Sequence, residues 1–384
     1  MEQLRVLFLE SFFGGSHRAF AEGYRRRSRH ALDLRTLPGR EWRRRQRLAG
    51  AAFASQIGPL EDYDVVLATD LLDLGDFRAL ATGDVPIVLY MHESQCTYPL
   101  PKGRSHDADT VFFDLKNAVM ASRIIFNSET HRGRFLETVA PYLQEAGEIP
   151  GASWYRHVEE QSSVIYPGVD VAALRGATGA TGAPPHGTAD STGAANIVWN
   201  HRWEYDKNPP AFFRALDALT APNAGRGPAD FTLTVLGENP QAHPRDFEAA
   251  RERLAGRIRH FGYAEDRREY LQLLRKGDLV VSTARQENFG IAVVEAVAAG
   301  CHPLLPARLS YPEIIPPRFH GAVLYHSDRE LQERLRALTA GEARSPVGRA
   351  RRAELAAAML RYDWSEIAPA LDEALAEAAG SSAV

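Results

Sequence analysis

The sequence predicts an α/β protein of two doubly wound parallel-sheet domains, on three observations. Its 384 residues amount, at about 150 residues per domain, to more than two domains of ordinary size. Short apolar runs that can be buried on both faces alternate with segments long enough for crossover helices. That alternation halts between Arg175 and Gly193, a tract almost devoid of large apolar side chains, and then restarts. Such a tract cannot bury enough surface to offset its ordering entropy, and it reads as a flexible interdomain linker.

The first element is a strand over Arg5–Leu9, followed by Glu10-Ser-Phe-Phe-Gly-Gly-Ser-His17 and a helix from Arg18 to about Arg27, the strand, glycine turn and helix that open a parallel sheet. Strands at Val65–Ala68, Ile87–Tyr90, Arg123–Phe126 and Ser163–Tyr166 complete a first domain over 1–172, with the linker at 173–195. The second domain, 196–360, has strands at Ile197–Trp199, Phe231–Leu236, Ile258–Phe261, Leu279–Ser282 and His302–Leu305. Its helices are expected at Pro209–Leu219, Pro244–Ala255, Arg267–Leu274 and Ile291–Ala299. The tail from Arg349 to Ala379 is helical by composition and broken near Tyr362-Asp-Trp-Ser365, where Ser365 is placed to cap a last helix. Residues 361–384 are expected to pack back on the first domain. Two such domains facing each other leave a cleft between the carboxyl ends of their strands, where ligands of open α/β sheets bind.

With 45% apolar and 24% charged residues, the chain has the balance of a soluble globular protein. Its formal charge of −4 gives no hint of a polyanion partner. Cys96 and Cys301 lie far apart without metal-type spacing, which fits a reducing compartment. The apolar run ending at Leu9, interrupted by Arg5 and stopped by Glu10, is too short for a signal peptide or a membrane span. A cytoplasmic protein with no membrane insertion is expected, its oligomeric state open.

The strongest local signal is a strand, then Gln286-Glu-Asn-Phe-Gly290, then a helix that is apolar on every face except at Glu295. A buried carboxylate without partners costs several kcal/mol, so Glu295 must be satisfied. The backbone of Asn288, Phe289, Gly290 and Ile291 opens that helix and is a natural phosphate seat. Glu287 and Glu295, one at each end, could grip sugar hydroxyls on both sides of the phosphates, and Gly290 permits close approach. The bland alternative pairs Glu295 with an internal Arg and leaves Glu287 a solvated loop residue.

Just after the first strand of the second domain, Arg202 offers a planar fork and Lys207 a point charge, complementary ways of holding a diphosphate. Lysine occurs only at positions 102, 116, 207 and 276. Alone, the segment would read as a surface ion-pair set of Arg202, Glu204, Asp206 and Lys207. In the first domain, Gly14 and Gly15 let backbone approach a ligand beside Ser16 and His17. His92 follows a strand toward the expected cleft, and Asn127 and Ser128 share that position on the next strand. Each also has a purely structural reading. Asp107 and Asp109 are read as solvated residues of a polar loop, and no Gly-x-Gly-x-x-Gly follows either opening strand.

Together, Glu287…Glu295 around Asn-Phe-Gly and Arg202…Lys207 resemble the donor-site signature of retaining GT-B glycosyltransferases of family 4, whose two domains are Rossmann-like. His201-Arg-Trp-Glu-Tyr-Asp-Lys-Asn-Pro209, Val281-Ser-Thr-Ala284, Gly300-Cys-His-Pro-Leu304 and Tyr311-Pro-Glu-Ile314 resemble one branch, the tRNA-queuosine α-mannosyltransferase family. So do Glu10 to His17, His92-Glu-Ser-Gln95 with Tyr98-Pro99, and Phe126-Asn-Ser128. The resemblance implies that Arg202 and Lys207 bind the donor diphosphate, that Glu287 and the backbone after it hold the hexose, and that Glu295 binds the ribose. It implies that His92 contacts the sugar, and that Gly14, Gly15, Ser16 and His17 close over the diphosphate or admit the acceptor. Glu93, Asn127 and Ser128 fall on the acceptor side. It further implies GDP-mannose as donor, queuosine of tRNA as acceptor, front-face reaction assisted by the leaving phosphate, and no metal or cofactor.

Ser94 and Cys96 depart from the branch's His-Glu-Asn-Gln-Leu motif, and Thr110 to Asn117 diverges from its aromatic and glycine pattern; both lie in the acceptor domain. Eleven arginines against three acids stand between Arg18 and Arg47, including Arg43, Arg44 and Arg45, with Trp42 and His30 interleaved. This is a phosphate-backbone surface for tRNA, or else a solvated helix in an arginine-rich chain. The leading expectation is therefore a metal-independent, retaining hexosyltransferase that mannosylates queuosine in tRNA. The alternatives are a family 4 enzyme acting on a small-molecule or lipid acceptor and a non-catalytic nucleotide-sugar or RNA-binding module.

Overall fold

Two six-stranded sheets, parallel at every pairing, organise the chain in a computed structural model that describes residues 2–98, 108–145, 147, 150–175, 193–221, 227–238 and 245–380. The chain divides into one unit of Met1–Gly168 with Trp364–Val384 and a second of Val169–Asp363. In the first, strands β1 (Arg5–Phe13), β2 (Ala31–Pro38), β3 (Val65–Thr69), β4 (Ile87–Met91), β5 (Arg123–Phe126) and β6 (Ser162–Val164) lie in the order β2-β1-β3-β4-β5-β6. In the second, β7 (Ala195–Trp199), β8 (Phe231–Val235), β9 (Ile258–Phe261), β10 (Leu279–Val281), β11 (His302–Pro306) and β12 (Leu324–Tyr325) lie in the order β12-β11-β10-β7-β8-β9.

The helices of the first unit are α1 (Gly15–Arg25), α2 (Trp42–Ala54), α3 (Leu74–Leu80), α4 (Ala108–Met120), α5 (Glu129–Glu145) and α6 (Gly151–Gln161). The second unit carries α7 (Val171–Arg175), α8 (Pro209–Thr220), α9 (Arg245–Arg253), α10 (Arg267–Arg275), α11 (Ile291–Ala298), α12 (Tyr311–Ile314), α13 (His320–Val323), α14 (Asp328–Thr339) and α15 (Pro346–Ala358). The chain then returns to the first unit as α16 (Trp364–Gly380).

Alternation along β1 shows why both faces of a parallel strand must be apolar. Val6 and Phe8 join Phe20, Tyr24, Trp364, Ile367 and Leu371 in one core, while Leu7 and Leu9 join Phe53, Phe77 and Phe135 in another. The first core lies under α1 and α16, the second under α2 to α6.

Several expectations need correction. The segment Ala31–Pro38 is a strand, β2, inside the arginine-rich stretch. Strand β1 runs on to Phe13, with an irregularity between Glu10 and Phe13, and α1 starts at Gly15 rather than Arg18. Pairing of β6 with β5 stops at Val164, short of Tyr166. Asp109 is exposed in the first turn of α4, not in a loop, while Asp107 lies outside the described residues. Helix α16 begins at Trp364, so Ser365 sits within it rather than capping it. The linker's residues 176–192, Pro99 of the Tyr98-Pro99 motif and Pro244 also lie outside the described residues.

Candidate active site

In the second sheet β7 has β8 on one side and β10 on the other, so the chain's order reverses between β10 and β7. Loops leaving the carboxyl ends of strands at such a point diverge and leave a ligand crevice. Here one loop runs from Trp199 to Asn208 and the other from Ser282 to Gly290. Backbone bonds stitch them together: the N–H of Arg285 donates to the Asp206 carbonyl (2.7 Å). The Thr283 hydroxyl donates to the carbonyls of Lys207 (3.1 Å) and Asn208 (3.0 Å).

Lys207 is buried between these loops. Its ammonium donates to the Gln286 carbonyl at 2.8 Å and lies 3.3 Å from Glu287 Oε2 and 3.2 Å from Asp206 Oδ2. Burial alone lowers a lysine's pKa, but the carboxylates of Glu287 and Asp206 outweigh it and hold the group above its ordinary value. The site therefore carries a permanent cation with preset orientation. Arg202, half-exposed and 3.1 Å from Glu204 Oε2, stands nearby in the same loop. Both pairs of the surface ion-pair alternative exist, Arg202 with Glu204 and Lys207 with Asp206, but the second is buried and Lys207 also reaches across to Glu287.

Beyond Glu287, the Gln286 side chain donates to Asn288 Oδ1 (2.9 Å) and the Ser310 hydroxyl donates to the Phe289 carbonyl (2.8 Å), fixing the turn. Gly290, at φ 102° and ψ 49°, caps α11 in the left-handed region that favours glycine. Ile291 starts the helix, and a helix's first amides and dipole favour negative charge at this end. Glu295, 8% exposed, is satisfied by the Arg267 guanidinium at 2.5 Å and the Tyr270 hydroxyl at 2.8 Å. Asn200 ties the same network together, donating to the Tyr270 hydroxyl (3.1 Å) and the Ala292 carbonyl (2.7 Å). The internal arginine of the bland reading thus exists. Asn200, Arg267 and Tyr270 were not singled out from sequence, Asp206 entered only through the surface ion-pair alternative, and of the first three only Asn200, at a strand's carboxyl end, had a positional signal.

The first sheet has its own reversal point between β1 and β3. Around it lie Glu10, where the regular pairing of β1 breaks, Asp70 just past β3, His92 and Glu93 just past β4, and His17 in α1. Glu10 is fully buried, and its Oε1 sits 3.2 Å from His17 Nδ1. Burial works against a charged His17, yet Glu10 first, with Asp70 and Glu93, raises it to about 9. Burial pushes Asp70 up to about 8, against the pull of the His17 charge. The Asp70 carboxylate accepts from the backbone N–H groups of His92 (3.3 Å) and Glu93 (3.2 Å). Glu10, His17 and His92 present ligand-type atoms within 4.8 Å of one another. A cation there would have to displace the His17 proton, because a protonated imidazole cannot ligate.

Asn127 and Ser128 brace this region from inside. Asn127 donates to the His92 carbonyl (2.7 Å), His131 Nδ1 donates to Asn127 Oδ1 (2.9 Å), and the Ser94 hydroxyl donates to His131 Nε2 (3.0 Å). Ser94 at the position where the branch has Asn therefore has an internal partner. Gly15 and Ser16 are exposed at the start of α1, beside half-buried Gly14. Asp70 and His131 were not singled out from sequence; the first had the signal of a lone acid closing an apolar strand. In the arginine-rich stretch, Arg43 and Arg44 are exposed and Arg45 is half-buried on α2, with the Arg43 guanidinium 5.0 Å from the exposed Trp42 ring. His30 is corrected: it is buried, accepting from the Leu4 N–H (3.2 Å) and donating to the Asp372 carbonyl (3.0 Å).

Two parallel sheets and a cation-plus-helix site at the second reversal point define a glycosyltransferase of the GT-B fold. Sucrose-phosphate synthase from Thermosynechococcus elongatus has the same fold, with a TM-score of 0.70 at 14% identity over 98% of this chain and 100% of that one. Anabaena HepE in complex with UDP matches with a TM-score of 0.63 at 18% identity over 97% and 100%. Residues 191–354 match the family described as glycosyl transferases group 1, and residues 5–169 match the one described as tRNA-queuosine alpha-mannosyltransferase N-terminal. The tRNA-queuosine alpha-mannosyltransferase of Drosophila melanogaster is 30% identical over 333 residues, covering 86% of this chain and 85% of the fly protein. The chain belongs to the tRNA-queuosine alpha-mannosyltransferase family. Among the described residues no helix is long and apolar enough to cross a membrane.

Proposed function

We propose that this glycosyltransferase moves mannose from GDP-mannose to queuosine in tRNA, with retention, in the cytoplasm and without a metal. The observation that carries this reading is that similarity to the fly enzyme extends over both units, including the first, where the family-specific match lies. In the proposed chemistry the bond between the anomeric carbon and the diphosphate oxygen breaks, and a bond from an acceptor hydroxyl forms on the same face. The hydroxyl's proton passes to the departing phosphate, so no covalent protein nucleophile is used.

Arg202 and Lys207 would offset the charge that grows on the diphosphate, and the amides after Gly290 would hold its oxygens, a preorganised arrangement of the kind that dominates such catalysis. Glu287, oriented by Lys207, would hold the hexose, and Glu295, oriented by Arg267 and Tyr270, the ribose. Incubation of labelled GDP-mannose with queuosine-bearing and queuosine-free tRNA tests the reading. Label should enter only the former, survive EDTA treatment and be released by an α-mannosidase. Equal transfer to both tRNAs, or transfer only to a small-molecule or lipid acceptor, would sink it.

A further inference from the structure

At the end of the second sheet opposite Lys207 and α11, the amino ends of β7, β8, β9 and β10 open on a cavity of about 1280 Å³. Eight cationic side chains line it against two carboxylates, Asp230 and Asp278. Arg253 is paired with Asp217 at 3.1 Å and Arg352 with Asp278 at 3.1 Å. The others are held differently. Arg257 donates to the Phe231 carbonyl (3.2 Å), Arg275 to those of Ala173 (3.0 Å) and Leu174 (3.2 Å), Arg344 to that of Gly193, and Arg349 to that of Arg344. A carbonyl fixes a guanidinium in place without neutralising it, so these bonds preorganise positive charge rather than cancel it. Lys276 and Arg259 stand exposed in the same lining.

We propose that this basic cavity is a second polyanion site, and that its occupant is a stretch of the tRNA phosphodiester backbone. That occupant rests on the tRNA reading above; the anion chemistry does not. The cations are spread over the end of α9, the turn into β9 and β9 itself, the end of α10, and the first half of α15 with the loop before it. Such a spread suits a chain of successive phosphates better than one compact phosphate group. Nothing in the donor chemistry uses these residues, because they lie at the other end of the strands from Lys207 and Glu287.

The test is binding of a labelled queuosine-free tRNA transcript to the full chain and to the double variant Lys276→Ala/Arg349→Ala, over a range of salt. Both side chains are exposed, and unchanged affinity for GDP-mannose checks that the second unit remains folded. The variant should bind tRNA about tenfold more weakly near physiological salt. The slope of log affinity against log salt should fall by roughly 1.4–1.8, since each of the two lost phosphate contacts removes roughly 0.7–0.9 from it. Lys276→Glu should weaken binding further than Lys276→Ala. The same affinity and slope in variant and parent would overturn this site alone. Tripolyphosphate binding that the variant loses while its tRNA binding stays intact would make it a site for free polyphosphate and overturn the RNA assignment. Failure of the unsubstituted protein to bind tRNA would overturn both this assignment and the tRNA reading it rests on.

Discussion

Lys207 and Glu287 form an ion pair across two loops that is structural and, in the proposed donor site, functional. The ammonium offsets part of the charge of two carboxylates, and removing it leaves Asp206 and Glu287 without a cation in a largely desolvated loop, a loss of about 3 kcal/mol. Lys207→Ala and Glu287→Ala are each expected to cut transfer by at least about a hundredfold, the scale of a lost charge-stabilising group. Both should retain the far-ultraviolet circular dichroism of the parent. Wild-type turnover in either would place the donor site elsewhere. Glu10 and His17 allow a different measurement. His17 has its pKa raised from 6.5 to about 9 in the fold, so the pair stabilises the protein fully below about pH 6.5, and that contribution fades as pH rises through about 9. Glu10→Gln removes the largest raising influence, so the His17 resonance should titrate well below its parent midpoint. The stability gap between parent and variant in urea should close between pH 6.5 and 9. An unmoved His17 midpoint would show that Asp70 and Glu93 alone hold its proton.

At the scale of elements, the sequence was most readable where an element is buried on both faces. Runs such as Val65–Thr69 and Ile87–Met91 have no polar interruption, and α11 is apolar all round but for Glu295, so both kinds were placed within a residue or two. Strand β2 escaped because it lies at the sheet edge and carries Asp33, Arg35 and Thr36 among its apolar residues, inside a run of arginines that suggested one surface helix. Strand β12 is only two residues long and has no pattern to read. The donor-type site was legible because its residues cluster in two short segments. Arg267 and Tyr270 come to Glu295 from α10, Asn200 joins them through Tyr270 from the loop after β7, and nothing local announces such a meeting. Helix α2 now isolates the tRNA question. Arg43, Arg44, Arg45 and Arg47 lie within its first two turns, on a helix whose buried side is Ala49, Gly50 and Phe53. Replacing Arg43, Arg44 and Arg45 by Ala should weaken tRNA binding by about tenfold and flatten its salt dependence without lowering the melting temperature. Unchanged binding would make the helix a merely solvated surface.

For the whole molecule, the net charge of −4 conceals two concentrations of positive charge, one on the first unit around α2 and one at the amino ends of the second sheet. The first unit is also discontinuous in sequence, because it is completed only by a segment that follows the second unit. Trp364 fills a slot between Gly23 and Gly168, where a Cβ on either glycine would overlap the indole. The Tyr24 and Ser28 hydroxyls donate to Asp372 Oδ1 (2.6 and 2.5 Å), and the Arg29 N–H donates to Oδ2 (2.9 Å). Trp364, Ile367, Leu371 and Leu375 cover Val6, Phe8, Val65, Leu67 and Val88. Burying four such side chains is worth about 1.5–3 kcal/mol each, which rivals the whole net stability of a domain, about 5–15 kcal/mol. A chain ending at Asp363 should therefore lose the first unit: limited proteolysis should cut within residues 5–168 while 193–363 stays protected, and the donor should still bind. The parent's melting temperature and protection of both units in the truncated chain would show that the first sheet is stable without α16. Because α16 follows the second unit in the chain, the same argument predicts that during synthesis the first unit gains protease resistance only after α16 has left the ribosome, and after the second unit has acquired its own.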